Sequence, residues 1–100
     1  MSYDVTVGER DLNTTFNHAP VFNALMPNGL KGLHGLNPHH AQKIINFGLL
    51  HVLPLKRDEL RDKMKDVEWG SFDDAIKFLH DLFLACLLVV DPDETIGVFA

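Results

Sequence analysis

The sequence predicts an α+β domain spanning residues 1–100, with about three main helices packed on a small antiparallel sheet formed by the N- and C-terminal strands. Three observations carry this. Ser71 to Val90 has the apolar periodicity of a long helix and stops at Asp91-Pro92. Tyr3 to Val7 alternates apolar and polar residues at one end of the chain, and Thr95 to Ala100 alternates at the other. Between them, Asn37-Pro38 is a helix start, an N-cap residue followed by proline in the first turn.

Tyr3-Asp4-Val5-Thr6-Val7 is rich in β-branched residues and runs into Gly8, so a strand is expected there. Glu9-Arg10-Asp11 reads as a solvated turn, and Asn13 to Asn17 either extends as a second strand or leads into a helix. Pro20 opens a short helix over Val21 to Met26, closed by the turn Pro27-Asn28-Gly29. Gly29-Leu30-Lys31, Gly32-Leu33-His34 and Gly35-Leu36-Asn37 form a small repeat. Glycine at every third position opposes continuous helix, which leaves a tight loop with its leucines turned inward.

The helix begun at Asn37 presents Ala41, Ile44, Ile45, Gly48, Leu49 and Val52 on one face, and Leu53-Pro54 is expected to end it. Leu55 to Glu68 is dense in charge with a narrow seam of Leu60, Met64 and Val67, the pattern of a surface helix, and Glu59 can pair with Lys63 one turn on. Trp69-Gly70 breaks that helix and Ser71 caps the next, with Asp73 and Asp74 suiting its dipole. In the last helix Phe72, Ala75, Ile76, Leu79, Phe83, Cys86, Leu87 and Val90 form one apolar face. Phe78, Leu82, Ala85 and Val89 form a second stripe beside it. Leu84 and Leu88 make even the outward side apolar. That end is either buried under the terminal strands or an interface with another copy.

Composition narrows the function classes. The chain is 46% hydrophobic and 23% charged, as in an ordinary folded domain. Its net charge of −5 arises entirely after residue 54, where eleven acidic side chains face six basic ones. With no basic stripe, nucleic acid is a poor partner. The longest apolar run, Leu82 to Val90, is too short to span a bilayer, so a soluble cytoplasmic protein with no membrane partner is expected. The single Cys86 lies on an apolar stripe and reads as an inert buried thiol.

No catalytic or metal-binding set emerges. His18, His34, His39, His40, His51 and His80 lack ligand spacing, and the glycine repeat lacks the Lys-Ser/Thr of a phosphate loop, so neither a metal nor a cofactor is expected. Asn13, Thr15 and Asn17 are more suggestive. If extended, they share one face and offer amide and hydroxyl donors and acceptors without charge, suited to a sugar, base or peptide group. Turn propensity alone favours the plainer role of capping the turn and the following helix.

Tyr3-Asp4-Val5, then Asn13-x-Thr15-x-Asn17 with Pro20, the Gly-Leu loop, and Trp69-Gly70-Ser71-Phe72 before a last helix with Ala85-Cys86 resemble a family of small phage and prophage proteins. The sequence departs from that pattern at Val67-Glu68, where Asn-Gly is expected, and at Val21, where Met is expected. The resemblance implies an infected bacterial cell as the setting. It also implies one polar-plus-aromatic ligand site of Asn13, Thr15, Asn17 and Trp69, with His18 beside them. Together with small size, acidic charge and no catalytic constellation, it points to a phage-encoded accessory protein. Such a protein binds, and so inhibits or sequesters, a host defence protein or a nucleotide-type signal. Two alternatives remain open: a small hydrolase or lyase acting on such a messenger through His18, His39 or His40, and a homo-oligomeric assembly protein joined through Leu84 and Leu88.

Overall fold

The N-terminal strand β1 (Ser2–Val7) is the centre of a three-stranded antiparallel sheet of order β2-β1-β3. The computed structural model describes residues 2–66 and 71–100. The proposed break at Trp69-Gly70 and the seam position Val67 lie outside the described residues. Strand β2 (Arg10–Thr15) pairs with β1 from Ser2↔Thr15 to Val7↔Arg10, and β3 (Gly97–Phe99) pairs with its other side from Asp4↔Phe99 to Thr6↔Gly97. Alternation along β1 turns Val5 and Val7 to the core and Asp4 to solvent.

The hairpin turn is shorter than the Glu9-Arg10-Asp11 turn expected from polarity. Gly8 takes a left-handed φ of 61°, so Gly8-Glu9 suffices and Arg10 and Asp11 already belong to β2. After Thr15, whose hydroxyl accepts from the Asn17 N–H, a 3-10 turn (Phe16–His18) leads into α1 (Ala19–Leu25) with Pro20 in its first turn. The Gly-Leu repeat folds as a 3-10 turn over Leu30–Leu33 that buries Leu30 and Leu33 and half-buries Leu36.

Helix α2 (Pro38–Phe47) starts at Asn37 as expected, but Leu53-Pro54 does not stop it. A π turn over Gly48–Val52, closed by the Leu53 N–H donating to the Gly48 carbonyl, carries the chain directly into α3 (Leu53–Met64). Proline lacks the N–H that the α pattern needs and presses on the carbonyl four residues back. The wider π turn re-spaces that pattern just before Pro54, so the proline sits in the first turn of a new α segment, where its missing donor is harmless. Leu60 and Met64 are the buried seam of α3, and Lys63 pairs with Glu59 at 3.4 Å.

Ser71 caps α4 (Phe72–Leu87), its hydroxyl accepting from the Asp74 N–H at 3.1 Å. Arg61 ties α3 to this end of α4, lying 5.1 Å from the Phe72 ring centroid and 3.3 Å from the Asp73 carboxylate. Phe72, Ala75, Phe78, Leu79, Leu82, Ala85 and Cys86 are the face that α4 buries. With α2, α3 and α4 as its main helices on a small three-stranded antiparallel sheet, the protein is α+β. One core gathers Val5, Val21, Phe22, Leu33, Ile45, Leu60, Leu79, Leu82 and Ile96.

The C-terminal segment is held by residues just ahead of α2 and in its first turn. The Gly35 N–H donates to the Ile96 carbonyl and the Ile96 N–H to the Leu36 carbonyl, at 2.8 and 2.9 Å. Asn37 works at both ends of its amide: Oδ1 caps α2 through the His39 N–H, and Nδ2 donates to the Pro92 and Glu94 carbonyls. His39 Nε2 donates to the Val89 carbonyl, and the Val98 N–H donates to His34 Nδ1. This lattice delivers Ile96 to the core and β3 to the sheet edge.

Candidate functional site

The predicted polar row divides between two environments. Asn13 and Thr15 lie on the solvent side of β2, as a period of two requires, but the strand ends at Thr15 and Asn17 stands in the 3-10 turn. The Asn13 Nδ2 group is shared among Asp4 Oδ1 (2.8 Å), Ser2 Oγ (3.1 Å) and the Tyr3 carbonyl (3.1 Å). Its donors therefore serve the hairpin, and the Thr15 hydroxyl serves the cap of the next turn. Trp69 lies outside the described residues.

His18 points the other way. It lies on the core side with Thr14, at 6% and 4% exposure, its Nδ1 2.7 Å from Thr14 Oγ1 and its ring edge-on to Phe22. The four-residue separation of Thr14 and His18 was the available sequence signal, obscured because the strand-to-turn change between them hides any single period. His18 Nε2 is buried without a hydrogen-bond partner among the described residues. Burial pushes the imidazole below its usual pKa, partly offset by the Asp74 carboxylate. Neither Thr14 nor His18 lines the two grooves beside α4. His39 is engaged with a backbone carbonyl, and His40 projects from the exposed start of α2. Among the described residues no three His, Cys, Asp or Glu side chains gather as metal ligands. The Cys86 thiol is fully buried and pushed up to about 11 by desolvation, far from the thiolate that a nucleophile needs.

The end of α4 is different. Leu84 and Leu88 are 54% and 59% exposed, and Leu87 beside them is also exposed. Positions i, i+3 and i+4 form one ridge on a helix. Periodicity places Leu87 and Val90 on the buried face. The helix instead ends at Leu87, so Val90 has left helical phase and stands 94% exposed. Two open grooves that meet at Arg10 and Ala85 run beside the ridge, one bordered by Leu84 and the other by Leu88. One, of about 380 Å³, runs between β2 and α4 and is walled by Asp11, Leu12, Asp81 and Leu84. The other, of about 400 Å³, lies under the hairpin turn beside Glu9, Leu88, Val90, Asp91 and Glu94.

A second apolar row, Phe47, Leu50 and Leu55, is exposed along the α2–α3 helix, away from the two grooves beside α4. An exposed apolar ridge beside concave surface is the arrangement that a protein partner covers. No helix among the described residues is long and apolar enough to cross a membrane. Comparison of the chain with protein-family models, curated proteins and solved structures finds no match.

Proposed function

We propose that this protein acts by binding another protein through the exposed end of α4. In the phage setting that the sequence resemblance implies, that partner is a host defence protein which the binding blocks or sequesters. The observation that carries the reading is the exposed Leu84–Leu87–Leu88 ridge with two grooves beside Leu84 and Leu88. Burying two such leucines on association is worth about 1.5–3 kcal/mol each, before the cost of immobilising the partners. A protein partner fits this surface better than a nucleotide-type signal, because carboxylates line both grooves and repel phosphate.

The test is affinity capture from infected bacterial cells with the wild-type chain and with a Leu84→Gln, Leu88→Gln variant. Both positions are on the surface, so the variant should keep its thermal midpoint. The wild type should retain one protein in near-stoichiometric amount, and the variant should lose it. Equal recovery with both chains would refute this use of the ridge. Light scattering on the same samples distinguishes the assembly alternative, which requires a wild-type oligomer that the variant dissolves.

A further inference from the structure

Resting on that reading, we infer that the occupant of the α4 ridge is a basic amphipathic helix of another protein, apolar on one side and flanked by Lys or Arg, rather than a second copy of this chain. The ridge specifies the helix. Leu84, Leu87 and Leu88 are the i, i+3, i+4 set by which one helix packs into the grooves of another, and the depressions beside Leu84 and Leu88 admit its neighbouring side chains.

Charge specifies the sign. Among the described residues, four ion pairs join Arg61 to Asp73, Lys63 to Glu59, Lys65 to Asp62 and Lys77 to Asp81, all on α3, the turn after it, or the first two-thirds of α4. Of the five carboxylates lining the grooves, only Asp81 belongs to one of them. Glu9, Asp11, Asp91 and Glu94 are in no ion pair among the described residues and face a single cation, Arg10. The apolar surface thus carries a net acidic rim of four carboxylates against Arg10, while Glu59, Asp62 and Asp73 on α3 and α4 each have a cationic partner.

A two-fold contact between copies would bring this rim against itself, and like charges in apposition oppose association. Lys or Arg flanking the apolar stripe of a partner helix would meet the four carboxylates instead. Such charges act mainly on encounter rate and partner choice, while the leucines hold the complex.

Three synthetic amphipathic helices, each about 18 residues so that they are helical in isolation, share a leucine face and carry Lys, Gln or Glu on the other. Titrated into the intact protein at ~50 mM salt, the Lys/Leu helix should bind at least about tenfold tighter than the Gln/Leu helix. That advantage should shrink as salt shortens the screening length. The Glu/Leu helix should bind least. A Glu9→Gln, Asp91→Asn, Glu94→Gln variant should lose the advantage. The same charge removal on α3 and the turn after it, by Asp58→Asn, Asp62→Asn and Asp66→Asn, should leave it intact. Leu88→Gln should weaken the Lys and Gln helices alike.

Equal binding of the Lys and Gln helices, both dependent on Leu88, would overturn the charge assignment and leave the binding surface standing. An advantage lost equally with the α3 changes would reduce it to general attraction to an acidic protein and overturn the inference. Binding by none of the three would overturn it too, while the capture experiment separately judges the functional reading.

Discussion

His18 shows how far one side chain's role depends on its surroundings. Its imidazole touches Thr14 through Nδ1, and its Nε2 is enclosed without a partner among the described residues. Whichever tautomer is present, protonation would create a buried cation with an unmet donor, which explains the lowered pKa. The consequence for stability has a definite sign. The unfolded chain takes up this proton near the ordinary value of 6.5, whereas the folded chain resists it until lower pH. In that window the unfolded state binds more protons, so the His18 contribution to stability is lost as pH falls below that value. Urea unfolding between neutral pH and pH ~5 should therefore show a steeper loss for the wild type than for His18→Gln, which keeps polar groups near Thr14 but does not titrate. Parallel pH profiles would contradict this account. The polarity of the Asn13–Asn17 stretch and its histidine neighbour could be read from residue types. Which members face the core could not, because the strand ends at Thr15 and the 3-10 turn resets the phase.

Among the elements, the α2–α3 junction departs furthest from sequence expectation. Local rules place a helix end at Leu53-Pro54, and locally they are sound. What overrides them is packing on both sides of the junction: Ala41 and Ile45 before it, and Leu53, Leu60 and Met64 after it, all enter the one core. Keeping the chain helical, with one π turn to accommodate Pro54, lets all five be buried together. Gly48 begins that turn, and a Cβ there would overlap the Leu25 carbonyl oxygen at the end of α1. In a free helix Gly→Ala gains about 1 kcal/mol. Here the obstruction is backbone, with no flexible side chain to yield, so Gly48→Ala should instead cost about 1–3 kcal/mol. A lower denaturant midpoint at unchanged slope would show it, whereas a gain would mean that α1 can move away. The remaining helix signals were local and survive: Asn37 and Ser71 cap as their residue types dictate.

Across the whole molecule, the last ten residues connect fold and surface. Ile96 is fully buried, whereas Val90, six positions earlier, is almost fully exposed. Composition alone does not separate these two β-branched residues. Hydrogen bonds from Gly35 and to Leu36 fix Ile96 against the Gly-Leu loop, and β3 then pairs with β1. Ile96→Ala should therefore cost about 2–5 kcal/mol, while Val90→Ala should shift stability by no more than about 0.5 kcal/mol. Thermal melts of the two variants would decide this, and a comparable loss in both would mean that Val90 is covered in solution. The same contrast underlies the functional proposal, because the apolar end of α4 is folded partly inward through Leu82, Ala85 and Cys86 and left partly outside through Leu84, Leu87 and Leu88.

From residue order alone came the α+β class, the pairing of the two terminal strands, the caps at Asn37 and Ser71, and an acidic chain whose last helix turns apolar all round. Each depends on periodicity, turn chemistry or charge within a few residues, and such signals are written locally. Tertiary structure decided which side of that apolar end is core. It also paired His18 with Thr14, carried the helix through Pro54, and set Glu9, Asp11, Asp91 and Glu94 around the leucine ridge. Those four carboxylates come from the hairpin and from the segment after α4, some eighty residues apart in sequence. They become one rim only because the central strand holds the hairpin against the last helix, a long-range contact that no local pattern encodes.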